Sequence, residues 1–177
     1  TNTVLYEKKD KRNYSLGMEQ KKIGEGIPLY ELIDYLLSFS DNTAHKMLVK
    51  YIGFENLQTY AKQNNIHWLA NPWDLYGYLT PNDTLKMLNK LYIIFQTKTY
   101  MSSIIQRTMM NDYYNALNFQ GHSLYHKYGY YDKYYHDVGI YLDEYPYIII
   151  IFTRYGQEDY YSVVQILHQK LYQIYLD

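Results

Sequence analysis

The chain contains no cysteine, which excludes disulfide staples, thiolate zinc sites and a cysteine nucleophile. Only 4 prolines and 9 glycines interrupt it. There is no Gly/Ser- or Pro-rich linker, no low-complexity tract and no internal repeat. An excess of one charge is also missing: 17 Lys and Arg against 18 Asp and Glu leave a formal charge of -1. That balance generates no broad field to hold nucleic acid, so no nucleic-acid partner is expected. The longest apolar run, Tyr145 to Thr153, is far short of the ~20 residues that span a bilayer. No signal-peptide pattern is present. No glycine-rich phosphate loop occurs, and no cofactor is expected.

What is present is a globular composition. The 177 residues are 47% apolar and 20% charged, enough to close one hydrophobic core. Tyrosine is in large excess, at 26 residues. Tyrosines can build sugar- or peptide-binding platforms, because each ring has an apolar body and a polar tip. The simpler reading is the AT-rich coding bias that raises Tyr, Ile, Lys and Asn together.

Residues 1 to 112 carry mainly helical spacing, and 113 to 177 mainly strands and a final helix; together they make one domain. The charged run Glu7-Lys8-Lys9-Asp10-Lys11-Arg12 reads as the exposed end of a helix already under way at Thr1. Pro28 suits a first helical position, with Leu29, Ile33, Leu36 and Leu37 on one face and an end near Ser38. A second helix from Asn42 turns Ala44, Met47, Leu48 and Tyr51 inward and stops at Gly53. A third begins at Phe54. Residues 64–79 read as a loop. Thr80-Pro81-Asn82-Asp83 then caps an amphipathic helix, and Ser102 to Met110 forms another.

His122 to Tyr131 and Tyr134 to Leu142 are strand-like and flank the turn candidate Asp132-Lys133. Tyr147 to Thr153 is apolar on both faces and requires cover on each. Glu158 to Tyr175 is helical through Val163, Val164, Leu167, Leu171 and Ile174. The expected fold class is α+β: a helical unit, an antiparallel sheet of three strands and a C-terminal helix packed on it.

The segment Ser38-Phe39-Ser40-Asp41-Asn42-Thr43-Ala44 places Ser-Asp-Asn at a helix junction, where such residues also serve as ordinary N-caps. Its setting is more telling. Ser40-Asp41-Asn42-Thr43-Ala44, then Leu79-Thr80-Pro81, Lys127-Tyr128-Gly129, Asp137-Val138-Gly139-Ile140 and the Tyr147 strand resemble, in this order, the serine-reactive penicillin-recognising family. That family includes class A β-lactamases and penicillin-binding proteins, and the closest look is to the class A-like enzymes of Gram-positive bacteria.

The resemblance implies an acyl-transfer site. Ser40 would relay a proton between nucleophile and leaving group, and Asn42 would hydrogen-bond the substrate amide. Lys127 would attract a substrate carboxylate and acidify Ser40. Tyr128 stands where the family has Thr or Ser. Gly129 keeps the strand open to substrate, and the Tyr130 amide would form half of an oxyanion hole. The family's nucleophile, a Ser-x-x-Lys, is absent from these residues, so it is expected upstream of Thr1 and this stretch alone is expected to be inactive. A deacylating Glu is also absent: between Asn64 and Thr80 the only acid is Asp74, expected as a turn cap.

Two functions follow. One is a serine hydrolase or acyl-transferase acting on cell-wall peptide or a related acyl substrate. The other is a catalytically inactive β-lactamase-like binding module for a glycan, peptide or protein. The family also implies a cell-surface location. His122, His126 and His136 suggest a cross-strand metal site only weakly, since no acid partner is evident, and no metal is expected. Finally, the Tyr147–Thr153 strand has one edge with no partner strand in the sequence. An N-terminal segment of the same protein, or a neighbouring chain, is expected to pair with it.

Overall fold

The computed structural model describes residues 2–70, 77–110, 117, 123–142, 144–154 and 157–176. Near the N-terminus burial alternates: Val4 and Tyr6 are inside and Leu5 between them is exposed. A period of two selects a strand, and β1 (Thr3–Leu5) pairs antiparallel with β2 (Gly26–Pro28). The charged run that follows holds only a single 3-10 turn, Lys8–Asp10, in which the Asp10 carboxylate accepts from the Glu7 amide at 2.9 Å. The expected helix end at Glu7 to Arg12 is thereby corrected. Charge clustering fits any solvated segment, and the apolar alternation just before it decides the backbone.

Three helices follow close to their predicted bounds: α1 (Leu29–Phe39), α2 (Asn42–Ile52) and α3 (Phe54–Gln63). Pro28 is the N-cap of α1 rather than its first helical residue. Its φ of -60° and ψ of 142° also suit the last position of β2. Gly53 at φ 86° both ends α2 and starts α3, a left-handed position that a side chain would strain. Leu32, Ala44 and Met47 pack against Val4, Met18 and Ile27. Tyr51, expected inward, is exposed instead, its hydroxyl accepting from Asn2 Nδ2 at 3.1 Å. The segment predicted as a loop carries two short strands, β3 (Leu69–Ala70) and β4 (Gly77–Tyr78), paired antiparallel. Asp74 lies outside the described residues. In α4 (Pro81–Gln96) the Thr80 hydroxyl accepts from the Asp83 amide at 3.1 Å, as the capping pattern requires. Helix α5 (Tyr100–Met110) completes the unit.

The sheet is a meander of β5 (Leu124–Tyr131), β6 (Tyr134–Tyr141) and β7 (Tyr147–Thr153), all antiparallel. Asp132 takes the positive φ of 55° that a two-residue hairpin turn demands. One face of the sheet, with Tyr125, Val138, Ile140, Ile148 and Ile150, packs on Leu88, Phe95 and Met109 of α4 and α5. The other face, with Leu124, Tyr141 and Ile149, packs on Tyr160 and Val164 of α6 (Gln157–Leu176). The isoleucine strand is thus covered on both faces, as its composition requires.

The inward face of α6 differs from the predicted one. Tyr160, Val164 and His168 are buried, whereas Val163, Leu167, Leu171 and Ile174 are exposed. The physical reason is polar. Buried Tyr141 and half-buried Tyr147 offer hydroxyls at 3.2 Å and 2.6 Å to the two ring nitrogens of His168, so the histidine is satisfied inside. An apolar side chain there would leave those hydroxyls with one partner fewer.

The two described strand histidines are not brought together. His126 and His136 are separated by register onto opposite faces of the sheet, His122 lies outside the described residues, and no metal-ligating cluster occurs among those described. His126 does have an acid partner, contrary to expectation. Its Nδ1 lies 3.1 Å from Asp137 Oδ1, with both side chains fully buried. Burial, followed by the charge of Asp137, pushes the Tyr160 phenol well above its ordinary pKa.

Candidate active site

The Ser-Asp-Asn loop is held by its middle residue. Asp41 is fully buried and is the N-cap of α2. Its Oδ1 accepts from the Ala44 amide at 2.8 Å and its Oδ2 from the Met18 amide at 2.9 Å. One carboxylate therefore ties the loop both to its own helix and to residues 12–18. Thr43 adds a second tie: its hydroxyl accepts from the Arg12 amide at 2.9 Å and meets Ser15 Oγ at 2.7 Å. Just beyond that segment Lys21 ties the chain to α1, its ammonium lying 2.6 Å from Glu31. The contact holds the lysine pKa above, and the Glu31 pKa below, their ordinary values.

This bracing leaves Ser40 in a left-handed conformation, φ 52° and ψ 39°, at the C-cap of α1. Its hydroxyl has no hydrogen-bond partner among the described residues. Asn42 is oriented by residues that the sequence did not point to. Its Nδ2 donates to the Asn13 carbonyl at 3.0 Å and its backbone amide to the Tyr14 carbonyl at 3.2 Å. Tyr14 has a positive φ of 58° and a side chain 86% exposed, a conformation uncommon for a bulky residue. No sequence signal marks it; only the turn-prone Asn13 beside it hints at a bend. A cavity of about 570 Å³ opens beside this segment, lined by Tyr6, Arg12, Tyr14, Ser15, Met18 and Thr43.

Lys127, Tyr128, Gly129 and Tyr130 follow one another along β5, an edge strand of its sheet. Lys127 shares the sheet face of Tyr125, which packs in the cluster that also takes in Leu37 of α1. The C-terminal part of α1, which leads to Ser40, and the face of β5 that carries Lys127 thus both contribute to one apolar cluster. No direct hydrogen bond joins Ser40 to Lys127. Instead the Lys127 ammonium lies over the Tyr128 ring, 4.1 Å from its centroid. A Cβ built on Gly129 meets nothing within 4 Å, so the strand is open at that point.

The hairpin sets which amides are available. A two-residue turn closes on a hydrogen-bonded pair, here Tyr131 with Tyr134. Bonded and non-bonded pairs then alternate down the ladder, and the Leu142 amide bonding to the Ser123 carbonyl keeps that phase. Tyr130 falls at a non-bonded position. Its N–H points away from β6, toward the edge of β5 that no described strand meets.

The comparisons with known proteins agree with this architecture. The beta-lactamase enzyme family matches residues 1–175, so the chain belongs to that family. Solved structures match over almost all of the chain. A single-residue mutant of PBP-A, captured as an acyl-enzyme with penicillin G, is 17% identical; the match covers 97% of this chain and 72% of that one, with a TM-score of 0.77. The TLA-3 extended-spectrum beta-lactamase is 15% identical over 99% of this chain and 76% of that one, TM-score 0.78. A beta-lactamase from Chitinophaga pinensis is 16% identical over 97% and 74%, TM-score 0.79. At these identities the likeness is one of fold. Comparison with curated protein sequences returns no match.

Proposed function

We propose that the protein is a serine hydrolase or acyl-transferase acting at the cell surface on cell-wall peptide or a related acyl substrate. The observation that carries this reading is the bracing of the Ser-Asp-Asn loop. Buried Asp41 and the Asn13 and Tyr14 carbonyls hold Ser40 and Asn42 in fixed orientations while leaving the Ser40 hydroxyl uncommitted. A purely capping aspartate would need no such second tether. The acyl-enzyme formed by PBP-A supports the same reaction class.

In this reading a serine of a Ser-x-x-Lys pair outside residues 1–177 attacks the substrate carbonyl. Its proton passes through Ser40 to the departing nitrogen as the C–N bond breaks. The Tyr130 N–H stabilises the oxyanion, Asn42 holds the substrate amide, and Lys127 attracts its carboxylate. Residues 1–177 alone would form no acyl adduct.

A second reading, an inactive binding module, is favoured by one observation: Tyr128 replaces the small hydroxyl residue, and its ring engages the Lys127 ammonium. Labelling of the full-length protein with a fluorescent penicillin separates the two. Covalent labelling lost in Ser40→Ala and Lys127→Ala supports the enzyme; no labelling at saturating probe leaves the binding module.

The partner proposal concerns β7. The ladder phase turns the amides and carbonyls of Ile148, Ile150 and Phe152 away from β6, and no described strand meets them. An apolar strand open on this edge is an aggregation hazard. A strand from an N-terminal segment of the same protein, or from a neighbouring chain, would pair there. Hydrogen exchange of these three amides in the full-length protein tests it: slow exchange supports a partner strand, and exchange at the rate of free peptide refutes it.

A further inference from the structure

The sheet face that carries Lys127 and Gly129 continues toward the hairpin tip as a row of aromatic rings. By register, Tyr131, Tyr134, His136 and Phe152 share this face. Tyr131 is 61% exposed and Tyr134 and His136 are half-buried. His136 lies 4.5 Å from Phe152 and 6.2 Å from Tyr134, centroid to centroid. Two cations converge on the same ring. The Arg154 guanidinium is 5.4 Å and the Lys133 ammonium 5.9 Å from the Tyr134 centroid. Both residues are exposed, and neither has a carboxylate partner among the described residues.

We propose that this face is a binding subsite for an acidic glycan, separate from the acyl-transfer chemistry. A tyrosine ring offers a flat apolar surface to the C–H face of a sugar and a phenol to its hydroxyls. Arg154 adds a planar fork, already oriented by the ring, that can take a carboxylate through two hydrogen bonds. Rings alone would suit a neutral sugar, and cations alone would suit any anion. Their meeting on one ring selects a ligand that presents both a sugar face and a carboxylate. Nucleic acid fits less well, because the near-neutral chain lacks the basic surface that holds a phosphate backbone.

The test is calorimetric titration of the full-length protein with hexagalacturonate, its methyl ester and a thymidine hexanucleotide. Saturable binding of the acid is expected, weakened about fivefold by Tyr134→Ala and by Arg154→Gln, which corresponds to about 1 kcal/mol each. Tyr134→Phe should keep most of the affinity, and the methyl ester should bind at least as weakly as Arg154→Gln binds the acid. Each variant is checked for an unchanged melting curve. If Tyr134→Ala does not fold, Arg154→Gln and Lys133→Gln carry the test, since both side chains are exposed. Absence of binding, equal binding of the methyl ester, indifference to Arg154→Gln, or tighter binding of the hexanucleotide would each overturn the proposal.

Discussion

Asp41 is the residue through which the loop geometry can be tested most directly. In Asp41→Ala the Ala44 amide loses its cap, a loss of about 1 kcal/mol. The Met18 amide loses a charged acceptor in a buried setting, about 2–3 kcal/mol more. The total is about 3–4 kcal/mol. Asp41→Ser separates the two contributions, because a serine hydroxyl can cap Ala44 but cannot also reach Met18; it should cost about 2–3 kcal/mol. Asp41→Asn keeps one acceptor oxygen but turns its NH₂ toward a backbone N–H, and should fall between the two. Urea unfolding of the full-length protein reads these values. With a slope near ~2 kcal/mol/M, the midpoint of Asp41→Ala should drop by about 1.5–2 M. Two outcomes would refute the reasoning. If Asp41→Ala costs under about 1 kcal/mol, the Thr43–Arg12 and Thr43–Ser15 contacts hold residues 12–18 by themselves. If Asp41→Ser is as damaging as Asp41→Ala, the Met18 tether, and not the cap, carries the whole effect.

Lys50→Ala should cost about 2 kcal/mol, because the buried Asp10 carboxylate loses its ammonium partner at 2.5 Å; a change within ±0.5 kcal/mol in thermal unfolding would show that the pair contributes nothing net. Gly129→Ala should leave stability within about 0.5 kcal/mol, since its Cβ meets no atom, yet slow acylation by narrowing the open strand; unchanged labelling kinetics would place substrate elsewhere. Tyr128→Thr should speed acylation by carboxylate-bearing β-lactams about fivefold, by removing the ring from the Lys127 ammonium and restoring a small hydroxyl; slower labelling would contradict this role. Desolvation, with a smaller contribution from Lys46, holds the pKa of His45 below its ordinary 6.5. The unfolded chain therefore takes up this proton first, and stability should fall as pH drops below about 6.5 through the folded-state pKa. His45→Gln should flatten that slope in urea titrations between about pH 5 and 7, whereas parallel wild-type and variant curves would exclude the linkage.

Local rules written into the chain were sufficient for α1 to α5 and for the β5–β7 meander. Capping residues such as Thr80 and Asp41, the stop at Gly53 and the Asp132-Lys133 turn act within a few residues, so their effect is legible without the fold. The Ser-Asp-Asn and Lys-Tyr-Gly stretches stood out as candidates for a different reason, their order along the chain, which resembles that of a known family; local rules alone would read the first as an N-cap. Three features depended on partners far away in the chain. The strand at Thr3–Leu5 exists because Gly26–Pro28 lies beside it. The buried face of α6 was chosen by the hydroxyls of Tyr141 and Tyr147, which make His168 a better inward residue than a leucine. The tie from Asp41 to Met18, and the placement of Tyr14 and Asn13 against Asn42, join residues up to 29 positions apart. A local pattern names the residues able to make such bonds. Which of them meet is decided only when packing removes water from around them, because a buried donor without an acceptor costs more than any local preference returns.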